Sequence, residues 1–326
     1  MRLLPNGLPR MSRPGFSARL VHPRYWPLWS GLGVLWLITR LPYPLLLRLG
    51  RVLGWAMYHL MRERRSIARI NLQLCLPGWS EAQREALVRE NFANYGIALF
   101  EMAMAWWWPP KRLARLAHIE GLEHLQRAAA EGRGVVLMSL HFTTLEIGAA
   151  LLGQAVTIDG MYREHDNAAF DFVQRRGRER HNADAKAVER EDVRSMLKSL
   201  RAGRAIWYAP DQDYGRKASI FVPLFGVPAA TVTATSTFAR LGKALVVPFT
   251  QVRLDDGSGY RLVVHPPLEG FPTGDDHVDA LRINQWVEQA IREHPEQYMW
   301  VHRRFKTRPE GEARPYPKRQ RRKRRN

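Results

Sequence analysis

Apolar positions along the chain fall into three regimes. From Tyr25 to Thr39 they run almost without interruption, YWPLWSGLGVLWLIT, until Arg40 closes a window of 15 residues. As helix that window measures about 22 Å, short of the ~20 apolar residues that cross a bilayer cleanly. The next stretch, Leu41 to Met61, is apolar but broken by Pro42, Pro44, Arg48 and Arg51. Residues 25–61 are therefore expected to form a hydrophobic membrane-anchoring helical segment. Basic residues on both sides of the first window leave orientation open and favour a segment in the plane of the cytoplasmic leaflet. A cleaved signal peptide fits less well, because five arginines precede the apolar run and no small-residue cleavage site follows it.

The second regime has helical spacing. Between Ser80 and Met104, Ala86, Leu87, Phe92, Tyr95 and Leu99 recur among charges, Ser80 is a candidate N-cap, and Trp106 to Pro110 end the helix. The third regime alternates short apolar runs with longer amphipathic ones. Val135 to Leu140, Ala205 to Ala209, Leu245 to Phe249 and Tyr260 to Val264 read as strands, and Asp192 to Leu200 and Val278 to Glu293 as helices. This order predicts an α/β fold, a mixed sheet covered by helices. The expected divisions are a basic arm over 1–24, the anchoring segment over 25–61, a catalytic domain over 62–311 and a basic, disordered tail over 312–326.

Charge changes the picture more than length does. Fifty Lys and Arg against 31 Asp and Glu give +19. Seven of the basic residues crowd into the tail KRQRRKRR, Lys318 to Arg325, so the rest of the chain still carries +12. Such a field favours anionic partners, and a tail of this kind adds about 1 kcal/mol of affinity for anionic lipid per basic residue near the surface. One cysteine, Cys75, excludes a disulfide framework and a thiolate zinc site, and reads as a packed small hydrophobe. P-loop, Rossmann, G-x-S-x-G and zinc-ligand patterns are absent, so no cofactor and no metal is expected, and no nucleic-acid motif is present.

Chemistry concentrates after the strand GVVLMSL. His141 follows it directly, where reactive groups of open α/β sheets gather, and Glu146 comes five residues later. With Thr143 or Thr144 capping a helix over Leu145 to Leu152, a loop-borne His141 lies within reach of Glu146. The carboxylate would then fix the imidazole tautomer and leave the other nitrogen as a base. The same residues also read as a strand-ending His beside a helix-starting Glu. Arg163, Asn167 and Asp171 recur at four-residue steps and share a helical face, either for a phosphate-bearing sugar or as an ordinary solvated ion pair. Asp211 and Asp213 follow a strand as His141 does, and read equally as substrate ligands or as a polar turn, P-D-Q-D-Y-G. Arg303 and Arg304, in HRRFKTRP from His302 to Pro309, suit phosphates or an acidic carrier, or a solvated basic turn.

HFTTLE, His141 to Glu146, resembles the HX4D/E motif of glycerolipid acyltransferases. LVHPRYWPLW, YREHDNAAFD, WYAPDQDYG, SIFVPLFG and EQYMWVHRRFKTRPEG, in that order from about Leu20 to Gly311, narrow the resemblance to the lipid A biosynthesis acyltransferases, and within them to the lauroyl/palmitoleoyl branch. The resemblance implies a glycerolipid-acyltransferase-like fold and an inner-membrane enzyme of a Gram-negative bacterium with its catalytic domain on the cytoplasmic side. It also implies transfer of an acyl chain, lauroyl or similar, from acyl carrier protein to a 3-hydroxyacyl hydroxyl of a lipid A precursor, lipid IVA or its Kdo-bearing form, without an acyl-enzyme. His141 and Glu146 match the catalytic pair. Arg163 matches an arginine that contacts substrate, and Asn167, Asp213, Arg303 and Arg304 are carried along as substrate-binding residues. Two other readings remain: a glycerol-phosphate or lysophospholipid acyltransferase, and a non-enzymatic basic membrane-binding protein. An imidazole base with an ordinary pKa would lose activity below pH of about 6.5.

Overall fold

The structure, a computed structural model, describes residues 15–162, 165–182, 184–185, 187–189 and 192–317. Most of the basic arm, Arg163 and the KRQRRKRR tail lie outside the described residues. Four helices come first: α1 (Trp26–Ile38), α2 (Tyr43–Leu60), α3 (Arg62–Cys75) and α4 (Glu81–Trp107). The expected N-cap is present as a full capping box, since the Ser80 hydroxyl accepts from Gln83 N and the Gln83 side chain accepts from Ser80 N. Trp108, followed by two prolines, ends α4, and its indole N–H donates to Thr39 O at 2.7 Å.

The remainder alternates strand and helix: α5 (Pro110–Ala114), β1 (Ala117–Glu120), α6 (Leu122–Ala130), β2 (Val135–Met138), α7 (Leu145–Leu152), β3 (Ile158–Tyr162), α8 (Ala168–Glu179) and β4 (Ala187–Glu189). It continues with α9 (Val193–Arg201), β5 (Ala205–Tyr208), the hairpin β6 (Ser219–Leu224) and β7 (Val227–Val232), α10 (Ala234–Gly242), β8 (Leu245–Arg253), β9 (Tyr260–Val264) and α11 (Asp276–Glu293). Among the described residues seven strands form one sheet in the order β1-β9-β8-β2-β5-β3-β4, and only its β8–β9 pairing is antiparallel, so the sheet is mixed as expected.

β2 lies at the centre with a parallel neighbour on each side, β8 and β5. Its residues alternate between two cores: Val135 and Leu137 pack with Leu151, Val247 and Phe249, and Val136 and Met138 with Phe238, Val246 and Ile283. A strand covered on both faces has no polar side to show, which is why it reads as a continuous apolar run. α4 is tied to the sheet by a buried ion pair: Arg253 of β8 meets Glu101 at 2.5 Å, and the Tyr260 hydroxyl of β9 donates to the same oxygen.

Residues 25–61 are helical as expected, over α1 and α2. Among the described residues no helix is long and apolar enough to cross a membrane. α1 has 13 residues, and α2 is seated on α4 through glycines. A Cβ on Gly96 would stand 2.1 Å from Gly50 O and 2.3 Å from Gly54 N, and one on Gly54 would stand 2.3 Å from Phe92 O. The two backbones touch where only hydrogen fits. In an exposed helix Gly→Ala stabilises by about 1 kcal/mol; Gly96→Ala is expected to do the reverse, lowering stability by about 1–3 kcal/mol through overpacking. Gly31→Ala on α1, where a Cβ meets nothing within 4 Å, is the control that should leave stability level or raise it. Thermal unfolding of both variants checks the sign.

On the opposite side, Trp26, Val34, Leu37, Val52, Trp55 and Leu60 are exposed on α1 and α2, with Leu60 reaching 81%. A run of large apolar side chains this dense, on consecutive helices, marks an interaction surface.

Candidate active site

Parallel pairing builds the site. In the β2–β5 ladder Met138 is opposite Tyr208. His141 and Asp211 each lie three residues beyond that registered pair, so the two chain exits deliver them side by side at the carboxyl edge of the sheet. There the Asp211 carboxylate spans both the ring and the main chain of His141. Oδ1 lies 2.7 Å from Nδ1, and Oδ2 accepts from the backbone N–H at 3.1 Å. Asp211 is buried, whereas the His141 side chain is 20% exposed, and its Nε2 makes no hydrogen bond with any described residue.

The carboxylate expected to hold His141 is thus corrected. Glu146, in the first turn of α7, engages Arg178 of α8 instead: guanidinium Nε donates to both carboxylate oxygens at 3.1 Å, and Nη2 donates to Oε1. Glu146 comes close in sequence, but in the first turn of α7 its carboxylate is taken up by α8. The chain continues from β5 straight past the imidazole, and Asp211 takes the place.

Burial by itself would lower the pKa of His141, but the negative charge and hydrogen bond of Asp211 outweigh it and raise the pKa above 6.5. Asp211 is driven the opposite way: burial would raise it, and the imidazole and the His141 backbone N–H hold it below the usual carboxylate range. With Asp211 ionised, Nδ1 carries a proton toward it and Nε2 presents a lone pair.

Loops from three directions fix this pair. Met299 N donates to His141 O at 3.0 Å and Thr143 N to Gln297 O at 2.7 Å. Gln251 of β8 receives the Ser139 hydroxyl at 3.0 Å, donates to Leu140 O at 3.2 Å, and offers its carbonyl to Thr144 Oγ1 at 2.7 Å. Asn91 and Asn94 of α4 and Asn71 of α3 hold the main chain of residues 296–302 through their amide N–H groups. Thr144, at the N-cap of α7, makes no side-chain cap, and the Thr143 N–H donates to Gln297 O.

The remaining expected residues do other work. Asn167 is the N-cap of α8 and accepts from Ala169 N and Phe170 N, so it does not share a helical face with Asp171, which is buried and accepts from His165 N. Asp213 is buried as a staple: it accepts from Gly215 N, Thr307 N and Thr307 Oγ1. His302, pushed down to about 4 by burial and therefore neutral, accepts from Asp213 N at 3.3 Å. Arg304 is buried, donating to Ala230 O and Thr231 Oγ1 of the β7 strand, and Arg303 pairs with Glu63 of α3 at 3.1 Å. An apolar backbone hairpin needed a donor there, and Arg304 fills that need. The open basic ground lies further on, around a hollow of 370 Å³ lined by Arg216, Lys306, Arg308 and Arg314 together with Glu310 and Glu312.

Sequence reasoning passed over Asp211 as the partner of His141, and passed over Arg178 and Gln251 altogether. The only available signal was positional: WYAPDQDYG leaves a strand as SLHFTTLE does.

Comparison with known proteins identifies the family. Residues 13–307 match the family model of bacterial lipid A biosynthesis acyltransferases. The chain is similar to the lipid A biosynthesis lauroyltransferase of Escherichia coli, 46% identical over 299 residues that cover 91% of this chain and 97% of the relative. It is 45% identical to the palmitoleoyltransferase of the same organism over the same coverage. With the myristoyltransferase of that organism it shares 34% identity over 310 residues, 93% of this chain and 94% of the relative. A match along nearly its whole length, to the family model and to these relatives, makes this protein an acyltransferase that belongs to the bacterial lipid A biosynthesis acyltransferase family.

Proposed function

We propose that this enzyme moves a fatty acyl chain, lauroyl or similar, from the thioester of acyl carrier protein to a 3-hydroxyacyl hydroxyl of a lipid A precursor, with His141 as general base. The observation that carries the reading is the orientation of one ring. Nδ1 is held by a buried, ionised Asp211, and Nε2 makes no hydrogen bond with any described residue at the mouth of the sheet. An alkyl hydroxyl is a poor nucleophile at neutral pH, and a base that takes its proton as it attacks the thioester carbonyl is typically worth ~10²- to 10⁴-fold. Asp211 stabilises the imidazolium that forms. The proton then passes to the departing thiolate, so no acyl-enzyme is needed. Glu146 and Arg178 act beside this pair as positioning groups, holding α7 against α8 next to the reacting carbonyl. The matching position of Arg163 supports a contact with the acceptor.

The setting follows from charge and exposed surface. The apolar face of α1 and α2, flanked by Arg24, Arg40 and Arg48, suits the interface of an anionic bilayer, in plane and on the cytoplasmic side of the inner membrane. A net +19 favours both the acidic carrier protein and an acceptor that bears phosphates. The hollow lined by Arg216, Lys306, Arg308 and Arg314, beside Glu310 and Glu312, supports a phosphate contact in place of the one expected of Arg303 and Arg304.

The test is a competition. The purified protein receives lauroyl-acyl carrier protein together with lipid IVA, its Kdo-bearing form and glycerol 3-phosphate, and products are read by mass spectrometry. Gain of a lauroyl ester on the lipid A precursor is the expected result, and acylation of the glycerol acceptor alone overturns the reading. In the same assay the acid limb of kcat/KM reports the free enzyme's base. A base must be unprotonated to act, so activity falls as pH drops through its pKa. Because Asp211 raises that pKa, the limb is expected above 6.5, the value for an unassisted imidazole.

A further inference from the structure

An apolar cavity of 130 Å³ lies on the helix-covered side of the sheet opposite the α10–α11 layer. Its walls are Trp106 of α4, Ala149 of α7, Ile158 and Gly160 of β3, and Trp207 of β5. The Glu146–Arg178 pair, with Glu179, His181 and Asn182, forms its polar part, and the Arg178 side chain is 33% exposed. The lining therefore joins the first turn of the helix whose preceding loop carries His141, at Leu145 and Glu146, to aromatic and small aliphatic side chains along β3. A cavity of about 150 Å³ admits benzene when its lining is apolar, so the apolar part of this one has room for about half a dozen carbons.

Glycines reveal where the free volume is. Gly177 is fixed by its neighbour: a Cβ there would stand 2.5 Å from the Trp106 ring. Gly153 would bring a Cβ to 2.9 Å from Ala149 O. At Gly160 a Cβ meets no atom within 4 Å. Ile158 and Gly160, two residues apart on one strand, point to the same face, and both line the cavity. The missing side chain of Gly160 is thus a measurable share of the empty space, and its backbone is ordinary strand, where a β-branched residue would sit comfortably.

We propose that Gly160 sets the length of the transferred acyl chain, because a side chain at this position would occupy the room that the end of the chain takes. The inference rests on the acyl-transfer reading above and adds to it the residue that measures the chain. Val or Ile at 160 fills the cavity from the strand side and favours a shorter donor; Ala at 158 deepens it and favours a longer one. Loss or gain of one methylene of fit in an apolar pocket shifts selectivity about tenfold or more, so each substitution moves the preferred donor by about two carbons.

The experiment offers Gly160→Val, Gly160→Ile, Ile158→Ala and the wild type an equimolar mixture of octanoyl- through palmitoyl-acyl carrier protein with lipid IVA. Ester masses on the product give the ratio of chain lengths. Displacement of a fluorescent fatty acid by unlabelled fatty acids of the same lengths reads the preference without catalysis. Opposite shifts at the two positions, shorter for residue 160 and longer for residue 158, in either readout, support the proposal. Folded Gly160→Ile protein with the wild-type length profile in both readouts overturns it. A wild type that acylates no lipid A precursor with any donor removes the acyl-transfer reading instead, and fatty-acid displacement still decides whether Gly160 measures a chain.

Discussion

Replacing His141 with Asn is expected to lower turnover by about 10³- to 10⁴-fold while the protein keeps its fold. Asparagine can still donate from its side-chain amide to Asp211, and the backbone bonds of residue 141, its N–H to Asp211 and its carbonyl from Met299 N, do not depend on the side chain. What disappears is the lone pair at Nε2. General-base removal accounts for up to ~10⁴-fold, and the rest of the site, being intact, sets a floor of residual rate above the uncatalysed reaction. His141→Ala should be as inactive but less stable, because it leaves the buried Asp211 carboxylate with one partner fewer, and an unpaired buried charge costs about 3–5 kcal/mol when its partner is removed. Single-turnover acyl transfer, read beside thermal unfolding, separates the two effects. His141→Asn protein that retains a tenth of the wild-type rate at pH 8 would remove the base assignment.

Much of this site is legible in the sequence, and the part that is not has a common cause. β2 announced itself because a strand buried on both faces is apolar at every position, and His141 was marked by standing where that run stops. Glu146 was the natural partner because only local distance can be read along a chain. Asp211 lies 70 residues away, and it becomes a neighbour only if β5 pairs in parallel beside β2 in the register that opposes Met138 to Tyr208. Strand order is a property of the assembled sheet, set by which helices cover which faces, and no local pattern encodes it. Arg178 illustrates the same limit. It stands in a run with Arg175, Arg176 and Arg180, and nothing in that run distinguishes the guanidinium that turns toward Glu146.

Arg303 and Arg304 mislead for a different reason. Their composition indicates a surface for anions, yet Arg304 is buried as the donor for a hairpin carbonyl, a use that depends on an unsatisfied backbone group elsewhere in the fold. The anchor segment was half legible. Its apolar content is visible on α1 and α2, whereas the seating of α2 on α4 depends on Gly50 and Gly54 of one helix meeting Gly96 of the other, a match between two separated segments.

The second large effect concerns the carboxylate itself. Asp211→Asn is expected to lower kcat by about 10³- to 10⁴-fold, in the range seen when a buried triad carboxylate becomes an amide and the imidazole takes the wrong tautomer. The amide that replaces Oδ1 can present N–H to Nδ1. The ring then carries its proton on Nε2, toward the substrate hydroxyl, where a base is required. The charge that raised the His141 pKa is also gone while burial, which lowers it, remains, so the acid limb of the residual activity should move down from its wild-type position. Glu146→Gln provides the contrast. Its partner is Arg178 and it makes no hydrogen bond to the imidazole, so turnover should fall with the acid limb unmoved. Measuring kcat/KM from pH 5 to 9 for the two variants distinguishes a carboxylate that tunes the base from one that positions the acyl side of the site. An acid limb that shifts with Glu146→Gln and stays fixed with Asp211→Asn would exchange their roles.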